Sequence, residues 1–144
     1  MKKTLFLLLA TMLTLRAHAG VSVDSGCYQQ TLKSGAKSTP FLFFQSYFDD
    51  DLLENVGAFV SYNNSKNRIW LVFADEVQGE GPNEGEYQKF WLEVVGKNVT
   101  GQYVEHGNYN GNPGGKYIKY IRFKTNRATV FRVAMIDRPC TAGP

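Results

Sequence analysis

The chain consists of short strand-like segments separated by turns, and this pattern constrains its fold more than any other feature. The segments are rich in Val, Ile, Thr and aromatic residues, and long runs with the period of a helix are absent. Eight strands are predicted, at 26–33, 40–47, 56–62, 67–75, 86–95, 99–105, 116–124 and 129–136. Such a series is typical of an all-β protein, either a single antiparallel barrel or a compact sandwich of about eight strands.

Turn residues separate the predicted strands. Gly96-Lys97-Asn98 predicts a tight hairpin between the fifth and sixth strands, and Thr125-Asn126-Arg127 predicts a turn between the seventh and eighth. The segment Asp49–Glu54 is expected to form one helical turn, with Leu52 and Leu53 tucked inward. No linker, internal repeat or charge block divides the chain.

The first nineteen residues have the pattern of a secretory signal peptide. Lys2 and Lys3 precede an apolar run, and Ala17-His18-Ala19 ends the segment with an A-x-A cleavage site. We therefore expect cleavage after Ala19, export to the periplasm or the medium, and a single all-β domain at 20–144. Gly20 stands where a lipid-anchored product has Cys, so no membrane anchor is expected.

Two cysteines, Cys27 and Cys140, follow the leader, and in an exported protein such a pair predicts a disulfide. The bond would tie together the two ends of the domain. Bonded cysteines have Cα atoms roughly 4.4 to 6.8 Å apart, so the first and last strands are expected to meet. This favours a closed barrel or a compact sandwich.

The basic charge of the chain comes from the leader. The sequence has 16 Lys and Arg against 13 Asp and Glu, but Lys2, Lys3 and Arg16 lie in the leader, which leaves 13 of each. A neutral domain has no global field that attracts nucleic acid or an anionic membrane, so neither partner is expected. His106 is then the single histidine of the domain.

These residues give little support to catalysis or metal binding. A catalytic triad is not expected, because the domain has one histidine, its two cysteines are expected to be paired, and it has no G-x-S-x-G segment. The run Asp49-Asp50-Asp51 lacks the ligand spacing of a calcium-binding loop. A zinc site is not expected either, because one histidine and no free cysteine are too few ligands. We therefore expect no enzymatic activity, no metal and no cofactor. A hydrolase that uses acids of 49–54 and 80–86 is kept as an alternative.

Alternation in individual strands predicts which side chains face the core. In the fifth strand Phe90, Leu92 and Val94 are expected inside and Trp91 outside, and in the last strand Phe131, Val133 and Met135 are expected inside. In the seventh strand Lys116, Ile118, Tyr120, Arg122 and Lys124 share one face. The segments 41–44 and 69–73 are apolar on both faces, so they are either covered on both sides or exposed to a partner.

Two loops are longer than a hairpin needs and are the predicted recognition elements. They are the acidic segment 76–86 and the uncharged segment 107–115. Aromatic side chains dominate the energetics of interfaces, so exposed aromatics near these loops are included in the predicted site. The partner-binding residues predicted are Glu80, Glu84, Glu86, Trp91, His106, Tyr109 and Asn110.

Two short stretches resemble known families. Gly26-Cys27-Tyr28 in the first strand, with Arg132 in the last, resembles the calycin superfamily of lipocalins and avidins, whose members have Trp where this chain has Tyr28. That resemblance implies a barrel, with the late basic residue packed over the aromatic ring. Ser34-Gly35-Ala36-Lys37 resembles part of the inhibitory motif of a periplasmic lysozyme-inhibitor family, although the tyrosine that follows there is missing.

Three functions remain as hypotheses. The first is a non-catalytic exported protein that binds another protein, most concretely an inhibitor or immunity protein against a toxin or a lysozyme-like, wall-degrading enzyme. The second is a carrier of a small hydrophobic ligand with a calycin-like barrel, and the third is the carboxylate-dependent hydrolase. The oligomeric state is left as a monomer or a dimer, because an apolar edge strand can pair with a second copy.

Overall fold

The fold is a closed antiparallel β-barrel of eight strands. The structure, a computed structural model, describes residues 20–30, 41–111, 115–134 and 140–141. The strands are β1 (Val21–Gln30), β2 (Phe41–Asp49), β3 (Glu54–Tyr62), β4 (Ile69–Gln78), β5 (Glu86–Val95), β6 (Asn98–Asn108), β7 (Tyr117–Arg122) and β8 (Arg127–Val133). A 3₁₀ turn at Gly81–Asn83 connects β4 and β5. The predicted all-β class and all eight predicted strands are confirmed.

Closure of the barrel depends on pairing between the first and last strands. Tyr28 pairs with Val133, and Gln30 pairs with Phe131. Every strand therefore has a neighbour on both sides. A closed barrel has no open strand edge. A dimer formed by pairing such an edge with a second copy, as considered above, is therefore not available to it.

The two ends of the barrel differ in the strand connections they carry. At the upper end β2 joins β3, β4 joins β5, and β6 joins β7. At the lower end β3 joins β4, β5 joins β6, and β7 joins β8. Several strands begin or end outside their predicted bounds, because β1 starts at Val21 and β4 continues to Gln78. The acidic loop between β4 and β5 is correspondingly shorter than predicted.

The predicted disulfide joins Cys27 to Cys140, with their Cα atoms 6.1 Å apart and 113 residues between them in sequence. It ties β1 to the segment that follows β8. A disulfide is consistent with an oxidising, exported compartment. The predicted signal peptide, residues 1–19, lies outside the described residues, as does Met135.

Large aromatic side chains fill the interior of the barrel. Trp91 is 0 % exposed, and its ring lies 6.0 Å from that of Phe44 and 5.2 Å from that of Phe73. The expected outward orientation of Trp91 is therefore wrong. Lys89 and Glu93 lie on the same inward face of β5, where they take part in polar contacts that simple alternation of apolar and polar residues does not anticipate.

The outer wall carries its own aromatic cluster across β2, β3 and β4. Phe59 is buried although it faces outward, because Phe43, Tyr47 and Trp70 pack against it at ring distances of 5.9, 6.4 and 5.3 Å. The guanidinium of Arg68 lies 4.8 Å from the centre of the Phe59 ring. The two-faced apolar segments are thus covered in part by one another.

Three other burial predictions are wrong. Val94, near the end of β5, is 40 % exposed. Leu52 and Leu53 are exposed in the turn between β2 and β3, where Leu53 has a φ of 55° and no helical turn forms. Val133 is about half exposed at the end of β8, while Phe131 is buried as predicted.

Candidate binding site

The two predicted recognition loops meet at the upper end of the barrel. The backbone N–H of Tyr109 donates to the Gly85 carbonyl at 2.8 Å, and the Tyr109 hydroxyl donates to Glu76 at 2.6 Å. The side-chain amide of Asn110 donates to the Glu84 carbonyl at 3.4 Å. We call residues 79–86 and 108–111 together the loop pair. These contacts make the loop pair one connected surface, although its two parts are distant in sequence.

Gly85 allows the two loops to approach this closely. Its φ is 90°, in a region that residues with a side chain rarely adopt, and a Cβ there would overlap the amide of Asn110. The junction between the loops therefore depends on glycine at this position.

A lysine is held between aromatic rings beneath the loop pair. The rings of Tyr87 and Tyr109 are 4.5 Å apart, and the ammonium of Lys89 lies 5.1 and 5.9 Å from their centres. Lys89 also lies 3.4 Å from the side-chain oxygen of Asn55 and 4.0 Å from Glu76. The aromatic rings and the two oxygens fix this cation at the mouth of the barrel.

A buried carboxylate lies beside that lysine, at the paired position on β6. Glu105 is 1 % exposed and accepts hydrogen bonds from the Trp91 indole at 3.3 Å and the Tyr87 hydroxyl at 3.4 Å. The ammonium of Lys116 lies 3.7 Å from Glu105 and 2.5 Å from Asp24. Lys116 therefore links the chain leading into β7 to the interior of β6 and to β1.

Burial raises the pKa of Glu105, and the nearby ammonium groups of Lys116 and Lys89 oppose that rise. A raised pKa marks a group that is costly to ionise in its site. Because Glu105 is enclosed by side chains that donate to it, we interpret it as a packing and positioning residue of the barrel mouth.

Replacement of Glu105 by glutamine should change how stability depends on pH. Between its raised pKa and the value of about 4.3 in an unfolded chain, the folded protein binds more protons than the unfolded one. Wild-type stability should therefore rise relative to Glu105→Gln as the pH falls through this window, by about 1.4 kcal/mol per unit of pKa elevation. Urea unfolding at several pH values measures this difference. A difference that stays constant, or one that changes in the opposite direction, would contradict the assignment.

Two cavities open at the upper end. The mouth cavity, of about 320 Å³, is lined by Lys89, Asn55, Asp24, Ser46, Phe48 and Tyr109 among others. The rim cleft, of about 370 Å³, lies beside the loop pair and includes Glu86, His106, Tyr117 and Asn83. The mouth cavity faces the fixed lysine, whereas the rim cleft faces the outer wall.

His106 forms part of the wall of the rim cleft. Its ring stacks on Tyr117 at 4.0 Å and 14°, and the guanidinium of Arg132 lies 5.7 Å from the centre of the Tyr117 ring. Burial, assisted by the charge of Lys119, lowers the pKa of His106. The neutral imidazole is therefore favoured. On the outer face His106 contacts Tyr117, and Arg132 lies over the same Tyr117 ring.

Charged residues are strongly segregated along the barrel axis. Besides Glu105, the acidic residues of the upper half are Asp24, Asp49, Asp50, Asp51, Glu54, Asp75, Glu76, Glu80, Glu84 and Glu86. Within the described part of this half the cations are Lys89, Lys116 and Arg132. Lys89 and Lys116 are engaged in the mouth, and Arg132 lies over Tyr117 on the outer face. The upper end is therefore an acidic surface, even though residues 20–144 have equal numbers of acids and bases.

Most of the sequence-predicted site residues are brought together. Glu80, Glu84 and Glu86 are exposed at the loop pair, beside exposed Tyr109 and Asn110. His106 is half-buried in the adjacent rim cleft. Trp91 does not belong to this surface, because it is fully buried in the core.

The sequence prediction missed the residues inside the mouth. Asp24, Lys89, Glu105 and Lys116 lie on four separate segments, and their spacing carries no motif. Lys89 and Glu105 do alternate with apolar neighbours in their strands. If the interior of a barrel is assumed to be apolar, that alternation predicts that both charged side chains face outward, which is the wrong direction.

The calycin-like arrangement is not reproduced. Tyr28 lies inside the barrel, whereas Arg132 is exposed on the outer face over Tyr117. The stretch 34–37, which carries the inhibitor-like resemblance, lies outside the described residues.

Among the described residues, no group of three or more His, Cys, Asp or Glu side chains is placed to hold a metal ion. In the same part of the chain, no helix is long and apolar enough to cross a membrane. Comparison of the chain with protein-family models, with curated proteins and with solved structures found no match.

Proposed function

We propose that this is an exported, non-catalytic binding protein that recognises another protein through the acidic upper end of its barrel. The observation that carries the proposal is the loop pair, whose two parts are joined by the contacts of Tyr109 and Asn110. Loops held in one conformation lose little entropy on binding, which favours affinity. A rigid scaffold with fixed recognition loops is a common design for binding proteins.

The charge of this surface indicates the class of partner. Glu80, Glu84 and Glu86 are exposed on the loop pair, and the acidic turn at 50–51 lies at the same end. Such a surface attracts a basic protein and speeds its encounter. The most concrete candidate is a basic wall-degrading or toxic enzyme, which makes this chain an inhibitor or immunity protein in the periplasm or the medium.

The packed interior is less favourable to the carrier hypothesis. Trp91, Tyr103 and Phe44 fill the space that a ligand would need. A carrier would have to use the mouth cavity, which is polar on the side of Lys89 and Asn55. Native mass spectrometry of the purified protein for a bound small molecule, retained by wild type and lost by Lys89→Met, tests that alternative.

Neutralising the acidic loop should weaken partner binding by about tenfold or more, because charges at an interface govern the rate of encounter. The variant is Glu80→Gln, Glu84→Gln and Glu86→Gln together, and these side chains are exposed. The oxidised protein is used as bait for secreted wall-degrading enzymes. The captured enzyme is then titrated with wild type and with the variant, and both affinity and enzymatic inhibition are measured.

A matched control removes charge at the opposite end of the barrel. Lys97→Gln with Lys124→Gln changes two exposed residues of the lower end and should leave enzyme binding within about twofold of wild type, because those charges lie beyond the Debye length of about 10 Å. Equal weakening by both variants, or binding that is insensitive to the acidic triple variant, would count against the proposal.

A further inference from the structure

The lower end of the barrel is basic, whereas the upper end is acidic. Its exposed cations lie in or beside the three described hairpin turns and are Lys66, Arg68, Lys97, Arg122, Lys124 and Arg127. In the described part of the lower half, Glu93 is the one acidic residue. Its carboxylate accepts a hydrogen bond from the Thr100 hydroxyl at 2.6 Å. In the described part of the chain, none of the six cations forms an ion pair with a carboxylate. Equal totals of acids and bases thus conceal a strong positive field at this end.

Apolar side chains project from the same end. Beside the turn between β5 and β6, Val95 at the end of β5 is 59 % exposed and Val99 at the start of β6 is 45 % exposed, on either side of Lys97. In the turn between β7 and β8, Phe123 is 48 % exposed beside Lys124. Exposed apolar groups that are clustered among polar or charged residues are a feature of surfaces that bind proteins or membranes.

The two hairpins form one surface. The backbone N–H of Phe123 donates to the Thr100 carbonyl at 3.2 Å, which places the tip of β7–β8 against the base of β5–β6. The two tips are therefore neighbours at the lower end of the barrel, as the pairing of β6 with β7 requires. We call residues 94–99 and 122–127 together the basic tip.

We propose that the basic tip docks on the surface of an anionic lipid bilayer. The valines and Phe123 enter the interface, while Lys97, Lys124 and Arg127 meet the anionic headgroups. Each Lys or Arg near such a surface contributes about fivefold to the partition coefficient, and buried apolar groups add to that. The protein is held peripherally, without a membrane-spanning segment at this end.

The chemistry of the tip favours a bilayer over a nucleic acid. Single-stranded nucleic acids are held by aromatic rings that stack on bases, but Phe123 is the one exposed aromatic residue of the basic tip as described, and its exposed valines are aliphatic. Aliphatic groups between cations match an interface that is apolar inside and anionic at its surface. Binding to a soluble polyanion is thus an alternative that the experiment separates.

The proposal does not depend on the one made for the upper end. It does give that end an orientation, because the strands run from one tip to the other. A barrel docked by its basic tip presents the loop pair to the solution, where a soluble partner can reach it.

The test measures partition of the oxidised protein onto vesicles of phosphatidylglycerol and phosphatidylcholine by sedimentation. Wild type should bind the mixed vesicles and not vesicles of phosphatidylcholine alone, and added salt should release it. Lys97→Gln with Lys124→Gln should lower the partition coefficient about 25-fold, at about fivefold for each cation. Val95→Ser with Phe123→Ser should weaken binding to the same vesicles while leaving all charges in place.

The control is the triple variant of the acidic loop, Glu80→Gln, Glu84→Gln and Glu86→Gln, which should bind vesicles as well as wild type or slightly better. Circular dichroism and thermal unfolding verify that each exposed variant is folded. The proposal is overturned if wild type does not bind anionic vesicles at low salt. It is also overturned if the Val95 and Phe123 variant binds them like wild type, or if soluble polyphosphate binds as tightly as the vesicles.

Discussion

Replacement of Trp91 by alanine should lower the free energy of unfolding by about 3–5 kcal/mol, which is the usual cost of removing a large aromatic from a core. The Trp91 ring is fully buried against Phe44 and Phe73, and its indole N–H donates to Glu105. The substitution leaves a cavity and deprives a buried carboxylate of one donor. Urea unfolding followed by circular dichroism measures the loss.

Two matched variants separate the causes of that loss. Trp91→Phe keeps most of the packing but removes the hydrogen bond to Glu105, and it should cost about 1–3 kcal/mol. Trp70→Ala removes the other tryptophan, which is 57 % exposed on the outer wall, and should cost about 1 kcal/mol or less. A Trp70→Ala loss as large as that of Trp91→Ala would contradict the assignment of inner and outer faces.

Loss of the disulfide should have a comparable effect. The bond between Cys27 and Cys140 closes a loop with a sequence separation of 113, and the chain-entropy estimate for a loop of that length is about 4 to 5 kcal/mol. The double variant Cys27→Ser with Cys140→Ser should therefore unfold at much lower urea concentration. Equilibrium unfolding of this variant and of oxidised wild type measures the difference.

The control for the disulfide is chemical reduction of the wild type under native conditions. Reduced wild type should match the double serine variant, since both lack the same cross-link. Circular dichroism at low temperature should still report a β-sheet protein, because strand pairing between β1 and β8 does not require the bond. An unchanged unfolding midpoint in both forms would contradict the role given to this cross-link.

The strands were predictable from sequence because each is short, rich in β-branched or aromatic residues, and bounded by turn residues. Gly96 and Asn126 have positive φ in the turns where their residue types predicted them. The closing disulfide followed from the presence of two cysteines in the chain. These features are local, or depend on a count, and need no knowledge of the three-dimensional arrangement.

The facing of the side chains was less predictable. The centre of β5 is apolar on both faces, in the sequence Lys89-Phe90-Trp91-Leu92-Glu93. The two charged residues were therefore the only indication of which face points outward. That inference fails here because the barrel mouth holds buried charges, and Lys89 faces inward toward Glu105 and Glu76. Partners for such charges lie on other strands, and a single sequence does not pair them.

The loop surface was predicted in outline, and its assembly was not. Loop length and acidic composition indicated the segments 76–86 and 107–115 as recognition elements. That Tyr109 bonds to Glu76 and Gly85 follows only from the register that sets β4, β5 and β6 side by side. Net charge likewise gave no sign of the segregation of acids and bases between the two ends.

A neutral domain with its acids and bases at opposite ends carries a large permanent dipole along the barrel axis. Such a molecule experiences little net pull from a distant charged object but a torque that turns it as it approaches. Because salt confines this field to about 10 Å at 0.1 M, the turning takes place in the last steps before contact. Equal numbers of acids and bases are thus compatible with oriented collisions. Dielectric relaxation in dilute solution would register that dipole directly.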